Sequence, residues 1–396
     1  MFQALLLGFL LLSTASVASE QIQDRVRTLA PNGLVHVVDE AGRVLVSQNA
    51  DRPFVPASVA KIVTAWLAME KLGGNYRFET RFYLDANRVL YVRGGGDPFL
   101  VSEELAMIAE RLVETVGTKP LNGLVLDTSY FPSALAIPGV VNNNESYNAS
   151  VSALAANFNT IHAVRNGDIV RSAEDQTPIT PLARTQFRTR APNGRSRISL
   201  AQGNADVSAL YAGELIAAFV RQSGGDVDGQ ISTGRVPPAL KPVYIHRQSR
   251  QMSEVVRLML EGSNNYIANQ VFLDVGAQEM GAPANLTKSK RVLAELLETR
   301  GLTDKISMVE GSGISRENRM TAQGLAELLN SFAPYAELME RSPKGSRYKT
   351  GTLDTVSTLA GYAQTEANGL VRFVIALPGR TGRLRFTILK AIEDGL

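Results

Sequence analysis

The chain lacks several residue types on which common active sites depend. Its 396 residues include no cysteine, which excludes thiol nucleophiles, disulfides, cysteine-ligated metals and a lipidated cysteine anchor. The three histidines, His36, His162 and His246, form no H-E-x-x-H or H-x-H pair, so no histidine triad or metal site is expected. Net charge is only +3 and no dense Lys/Arg run is present, which argues against nucleic acid as a partner. The sequence therefore predicts an activity that needs neither a cofactor nor a metal.

Long apolar runs are also scarce, and the only clear one lies at the N-terminus. Residues 4–12 are almost unbroken apolar and are followed by Ser16-Val17-Ala18, a small-x-small pattern. This run is too short to span a bilayer, and a buried globular helix should show a polar stripe instead. Although no Lys or Arg precedes the run, we expect a signal peptide over residues 1–18. We expect the mature protein to be periplasmic, with no transmembrane anchor, and either soluble or peripherally associated.

Three short motifs stand in order along the chain: Ser58-Val59-Ala60-Lys61, Ser263-Asn264-Asn265 and Lys349-Thr350-Gly351-Thr352. Each is weak alone, since S-x-x-K recurs at Ser346 and S-x-N recurs at Ser146. A capping serine and solvated lysines are the ordinary interpretation of such residues. In this order, however, the motifs match a serine acyl-transfer site that uses lysine as its base.

The spacing of the first motif explains how such a site would work. Residues i and i+3 share one face of a helix, so the Ser58 hydroxyl and the Lys61 amine can meet. The helix N-terminus offers N–H groups to a developing oxyanion. An amine that lies in a low-dielectric environment or near a second cation loses part of its affinity for a proton and can act as a base.

The pattern of apolar residues predicts an α+β fold with more than one domain. Residues 33–48 alternate around a Glu-Ala-Gly turn, as in a β-hairpin, and three further strands and a helix are predicted after residue 347. Strands at both ends suggest one antiparallel sheet built from the two ends of the chain and flanked by helices. We expect a catalytic domain from residues 19–80 and 243–396, and an inserted mixed α/β accessory domain over residues 81–242.

Further segments make the chain resemble one family over most of its length. They are Gly94-Gly95-Gly96-Asp97-Pro98, Asp127-Thr128-Ser129-x-Phe131, Ser152-Ala153-Leu154 and Gly311-Ser312-Gly313-x-Ser315-Arg316-x-Asn318. With the three motifs, they resemble the class C low-molecular-mass penicillin-binding proteins, the D-alanyl-D-alanine carboxypeptidases and endopeptidases of the penicillin-binding protein 4 type. The resemblance implies a β-lactamase-like catalytic domain interrupted by accessory domains.

The resemblance also implies a role for individual residues. Ser58 would attack the penultimate D-alanine of a peptidoglycan stem peptide, Lys61 would take its proton, and β-lactams would acylate Ser58 as substrate mimics. Ser263 would pass a proton to the leaving group, and Asn265 and Lys349 would hold the polar network. Thr350 and Thr352 would bind the terminal carboxylate of the substrate, and the backbone N–H groups of Ser58 and Thr352 would form the oxyanion hole. Asp127 and Arg316 would contact the diaminopimelate end of the peptide. Gly351, which has no side chain, would let another segment of backbone approach this strand closely. Two positions depart from the family: Asp354, where glutamine is frequent, and Asn264, where aspartate is common.

Two other functions stay open at this stage. A class A β-lactamase needs an E-x-x-L-N motif, and the nearest candidate, Glu327-Leu328-Leu329-Asn330, has the wrong spacing and a helical pattern. A non-catalytic peptidoglycan-binding or sensor protein is the second alternative, although no catalytic position is missing. The balance between carboxypeptidase and endopeptidase action, the role of the insert and the oligomeric state cannot be read from the sequence.

Overall fold

A computed structural model describes residues 19–200, 204–379 and 381–396. The predicted signal peptide, residues 1–18, lies outside the described residues. The strands are β1 Leu34–Asp39, β2 Val44–Gln48, β3 Glu79–Leu84, β4 Val89–Arg93, β5 Leu121–Asp127, β6 Thr160–Asn166, β7 Ile169–Ser172, β8 Gly194–Ser199, β9 Val227–Thr233, β10 Pro242–Arg247, β11 Ile306–Ser307, β12 Arg319–Met320, β13 Glu340–Arg341, β14 Arg347–Leu353, β15 Val356–Thr365 and β16 Gly369–Pro378.

The α-helices follow the same chain order. They are α1 Lys61–Lys71, α2 Ser102–Val116, α3 Pro181–Arg190, α4 Ala205–Gln222, α5 Met252–Glu261, α6 Asn265–Met280, α7 Leu286–Glu298, α8 Ala322–Phe332 and α9 Gly382–Gly395. Residues 19–29 are also helical. No helix within the described residues is long and apolar enough to cross a membrane.

The chain divides into two compact units. Of the described residues, the first unit contains 19–67, Val256–Ser263 and Leu293–Leu396, and the second contains those of Ala68–Val255 and Asn264–Val292. The domain limits predicted from the sequence, 81–242 for the insert, stay a prediction.

The first unit is built on a six-stranded sheet in the order β13-β14-β15-β16-β1-β2. All its neighbouring strands are antiparallel, so the sheet joins the two ends of the chain as the sequence indicates. The predicted hairpin is present, and Gly42 in its turn has a φ of +84°, which glycine adopts without strain. One face of the sheet packs against residues of the N-terminal helical segment and α9 in a shared apolar core, which includes Val35, Phe373 and Ile388.

The second unit holds a five-stranded mixed sheet and a three-stranded antiparallel sheet. The mixed sheet has the order β10-β3-β4-β5-β9, and β5 runs parallel to both β4 and β9. The smaller sheet has the order β7-β6-β8. Side chains from both sheets and from helices α2 to α4 share one buried apolar cluster, which includes Leu124, Ile161 and Leu215. Burial of this cluster stabilises the unit mainly through the hydrophobic effect.

Candidate active site

Ser58 and Lys61 meet, as their spacing predicts. Ser58 lies in the 3-10 turn Ala57–Ala60, and helix α1 begins immediately after it, at Lys61. Side chains at i and i+3 are eclipsed in a 3-10 turn, which places the two groups side by side. The Lys61 Nζ atom lies 3.0 Å from Ser58 Oγ. The pair therefore stands on a 3-10 turn that leads into the α-helix, and not on the first turn of the α-helix itself.

The surroundings of Lys61 favour its neutral form. The residue is completely buried. Burial lowers the pKa of Lys61 well below its usual value, the charge of Lys349 lowers it further, and Glu310 partly opposes both. The Nζ atom also donates a hydrogen bond to the Ser312 carbonyl oxygen at 2.8 Å. Since a general base must be unprotonated near the working pH, these conditions suit Lys61 to accept a proton from Ser58.

The loop that holds the Ser312 carbonyl is organised around one buried carboxylate. Glu310 is completely buried and accepts hydrogen bonds from the backbone N–H groups of Ser312 and Gly313, both at 2.7 Å. It also accepts from the Ser312 hydroxyl at 2.6 Å and from Asn318 Nδ2 at 2.7 Å. Gly313 has a φ of +83°, and a Cβ there would lie 1.8 Å from the Ala57 carbonyl oxygen.

Sequence reasoning identified this loop as specific to the family but missed Glu310, which positions it. The available signal was an acidic residue immediately before the Gly-Ser-Gly segment.

The third motif lies on β14, next to the turn that carries Ser58. A Cβ at Gly351 would lie 2.8 Å from the Pro56 carbonyl oxygen and 2.9 Å from the Ser58 nitrogen, so only glycine allows this approach. Lys349 points to the same side, since β-strand side chains alternate. Burial lowers the pKa of Lys349 to about 8, and its Nζ donates to the Thr350 carbonyl oxygen at 3.1 Å.

Thr350 and Thr352 lie on the opposite face of β14 from Lys349 and Gly351. The Thr352 hydroxyl accepts a hydrogen bond from Arg385 Nη1 at 3.1 Å, and the same nitrogen donates to the Gly351 carbonyl oxygen at 2.7 Å. Arg385, in α9, thus holds β14 in place by hydrogen bonds on the side of Thr352, a contact that the sequence did not indicate. A carboxylate bound at Thr352 would have to share that hydroxyl with Arg385.

The second motif divides between the two units. Ser263, the last residue of the first unit in this segment, has a φ of +50° in the turn between α5 and α6. Asn265 belongs to the second unit, begins α6 and donates from Nδ2 to the Tyr147 carbonyl oxygen at 3.1 Å. Asn264 caps α6 by accepting a hydrogen bond from the Ile267 N–H at 3.1 Å. Because aspartate and asparagine are equally good N-caps, the departure at Asn264 preserves this local structure.

Asp127 and Arg316 lie in different units. Asp127 ends β5, is completely buried, and forms an ion pair with Arg93 at 3.0 Å. Its carboxylate also accepts from the backbone N–H groups of Ser129 and Val236. Arg316 is exposed and donates to the Thr355 hydroxyl at 2.7 Å. Their assignment to substrate binding stays a prediction.

Among the described residues, no group of three or more His, Asp or Glu side chains is arranged to hold a metal ion.

Comparison with known proteins identifies the family of this chain. The profile of the D-Ala-D-Ala carboxypeptidase 3 (S13) family matches residues 15–196 and 191–341. The D-alanyl-D-alanine carboxypeptidase of Actinomadura sp. (strain R39) is 26% identical over 94% of this chain and 80% of its own length. The D-alanyl-D-alanine carboxypeptidase DacB of Haemophilus influenzae is also 26% identical, over 85% of this chain and 83% of its own.

Solved structures show the same fold. Penicillin-binding protein 4 of Haemophilus influenzae superposes with a TM-score of 0.76 at 21% identity, covering 93% of this chain and 98% of its own. A predatory peptidoglycan endopeptidase of Bdellovibrio bacteriovorus gives a TM-score of 0.54 at 17% identity, covering 91% of this chain and 90% of its own. The family match spans most of the chain and includes the Ser58–Lys61 pair and the loop around Glu310. The chain therefore belongs to the D-Ala-D-Ala carboxypeptidase 3 (S13) family.

Proposed function

We propose that this protein is a serine DD-peptidase of peptidoglycan, with Ser58 as its nucleophile and Lys61 as the general base. The observation that carries this assignment is the 3.0 Å separation of Ser58 Oγ from the Nζ of a completely buried lysine. In this mechanism Ser58 attacks the carbonyl carbon of the penultimate D-alanine, and its proton passes to Lys61. The peptide bond then breaks, the leaving amine takes up a proton, and water hydrolyses the acyl-enzyme.

The other residues assist these steps. Ser263 passes the proton to the leaving group, while Asn265 and Lys349 hold the polar network. The backbone N–H groups of Ser58 and Thr352 bind the oxyanion. Thr350 and Thr352 hold the terminal carboxylate at the edge of β14, which β13 leaves unpaired beyond Tyr348, and the carboxylate shares the Thr352 hydroxyl with Arg385. The positive charge of Lys349 supports this assignment, because it adds to the effect of burial in lowering the pKa of Lys61. Asp127 and Arg316 are proposed to contact the diaminopimelate part of the stem peptide.

β-Lactams are proposed to acylate Ser58 because they mimic the D-alanyl-D-alanine end. The Haemophilus influenzae penicillin-binding protein 4 has also been solved with a β-lactam bound, which supports this proposal. A class A β-lactamase is disfavoured, because Glu327 lies within α8 and pairs with Lys305 at 2.7 Å. The acyl-enzyme should therefore persist.

We also propose that residues 1–18 direct export, so that the enzyme meets its substrate in the periplasm. Cell fractionation of the full chain and of a chain without residues 1–18 tests this, and equal distribution of the two would contradict it.

Digestion of purified sacculi tests the activity itself. Mass spectrometry of the products separates loss of terminal D-alanine from cleavage of cross-links. We expect the wild-type protein to release one or both products and Ser58→Ala to release neither, with an unchanged circular dichroism spectrum. Unchanged release by Ser58→Ala would remove Ser58 from the mechanism.

A further inference from the structure

The first unit contains a cavity built on the edge of its sheet. The cavity is about 410 Å³ and lies among β1, β2, β16 and α8. Pockets of about 300–1,000 Å³ are typical of small-ligand sites. Its lining includes His36, Val44, Asp51, Gln323, Glu327 and Arg372. None of these residues belongs to the three catalytic motifs.

Arg372 is a buried cation that forms no ion pair with another described residue. Its side chain lines the cavity, the residue is only 8% exposed, and Nη2 donates to the Asp39 carbonyl oxygen at 2.9 Å. Within the part of the chain that the structure describes, Arg372 Nε has no hydrogen-bond partner and the guanidinium makes no ion pair. The nearby carboxylates are already engaged, since Asp39 pairs with Arg43 and Glu327 pairs with Lys305. A buried guanidinium in this state favours an anion.

His36 adds a second unsatisfied group to the same cavity. It is 5% exposed, and its Nδ1 has no hydrogen-bond partner among the described residues. Burial lowers the pKa of His36, so its ring is neutral at pH 7 and can donate one hydrogen bond and accept another. His36 stands opposite Ser47 on β2, and Val38 on the same strand stands opposite Arg372 on β16, so the polar groups share one face of the sheet.

The acidic residues of the lining restrict which anion would fit. Asp51 also lines the cavity, beside Glu327 whose charge Lys305 partly offsets, so a dianion such as phosphate would be repelled as well as attracted. A single carboxylate at Arg372 with an ammonium group nearby would satisfy both signs of charge. We propose that this cavity binds a small zwitterionic carboxylate of amino-acid size, separately from the catalytic serine. This proposal does not depend on the proposed peptidase activity.

Isothermal titration calorimetry of the full chain with D-alanine, propionate and inorganic phosphate tests the proposal. We expect D-alanine to bind most tightly and phosphate most weakly, and Arg372→Gln to weaken D-alanine binding by at least about tenfold. Arg27→Gln, which removes an exposed arginine outside the cavity lining, is the matched control and should bind as the wild type does. Absence of D-alanine binding at about 50 mM, or tighter binding of phosphate, would overturn the proposal.

Val44 supplies a test that does not disturb the core. It lines the cavity yet is 54% exposed, so substitutions there should leave the fold intact. Val44→Trp fills part of the cavity and should weaken D-alanine binding several-fold, whereas Val44→Thr, of the same size as valine, should not. Equal affinities in these two variants would show that D-alanine binds elsewhere and would refute the proposal, even if Arg372→Gln fails to fold.

Discussion

Replacing Glu310 by glutamine should weaken both the fold and the reaction. The Glu310 carboxylate accepts from the backbone N–H of Ser312 at 2.7 Å and from its hydroxyl at 2.6 Å, through Oε2. Its Oε1 accepts from the Gly313 N–H and from Asn318 Nδ2, both at 2.7 Å. A glutamine keeps one acceptor oxygen and turns an amide N–H₂ group toward the remaining donors. At least one buried N–H group therefore loses its partner.

The size of the effect follows from these contacts. A hydrogen bond to a charged group contributes about 1.5–3 kcal/mol, and a buried donor left unpaired costs about 1–3 kcal/mol. We expect Glu310→Gln to lower the free energy of unfolding by about 3 kcal/mol. The reaction should change as well, because the loop carries the Ser312 carbonyl that accepts from Lys61. Since Glu310 raises the pKa of Lys61, its removal should move the acidic limb of the acylation profile to lower pH.

Two measurements check these expectations. Urea denaturation gives the free energy of unfolding, and stopped-flow acylation by a fluorescent penicillin, measured across pH, gives the profile. Glu317→Gln, an exposed carboxylate in the same loop, is the control and should match the wild type in both. A Glu310→Gln variant with wild-type stability and an unshifted profile would refute the role assigned to this carboxylate.

Three further predictions follow from the site. Acylation should rise with pH through the lowered pKa of Lys61 and decline above about pH 8, where Lys349 loses its proton; a flat profile from pH 5 to 10 would contradict this. Lys349→Met should abolish acylation yet raise the free energy of unfolding at pH 7 by up to about 3 kcal/mol. The sign follows from the lowered pKa of Lys349 in the folded protein. Between pH 8 and 10.5 the unfolded state binds more protons than the folded state, so stability rises with pH there, and Lys349 destabilises the fold most below pH 8. Gly351→Ala should slow acylation about 100-fold, because its Cβ would lie 2.9 Å from the Ser58 nitrogen; a rate within twofold of the wild type would exclude that clash.

Much of the fold could be predicted because its signals are local. The alternation on both sides of Gly42 predicts the hairpin of β1 and β2, and the last three long strands are equally regular. Helix α3 could not be predicted in this way. Its sequence is rich in Arg and Thr, and only Ala183 and Phe187 are buried, so the apolar pattern is too sparse to indicate a helix.

The contacts of the candidate site also include some between residues close in the sequence and some between residues far apart in it. The Ser58–Lys61 contact depends on a spacing of three residues, which the sequence displays directly. The contacts of Glu310 and Arg385 depend on backbone atoms that folding brings close, and no spacing in the sequence encodes them. The predicted family, the α+β fold and the enzyme class are confirmed by the family match and by the superposition on penicillin-binding protein 4.

The central claim is that Ser58 forms the acyl-enzyme, and peptide mapping after exposure to benzylpenicillin tests it most directly. The wild-type protein should carry one penicilloyl group, on the peptide that contains Ser58, and the adduct should persist through digestion. Ser58→Ala, folded as judged by circular dichroism, should carry none. An adduct on another serine, an unchanged adduct in Ser58→Ala, or rapid turnover of penicillin without an adduct would contradict the account.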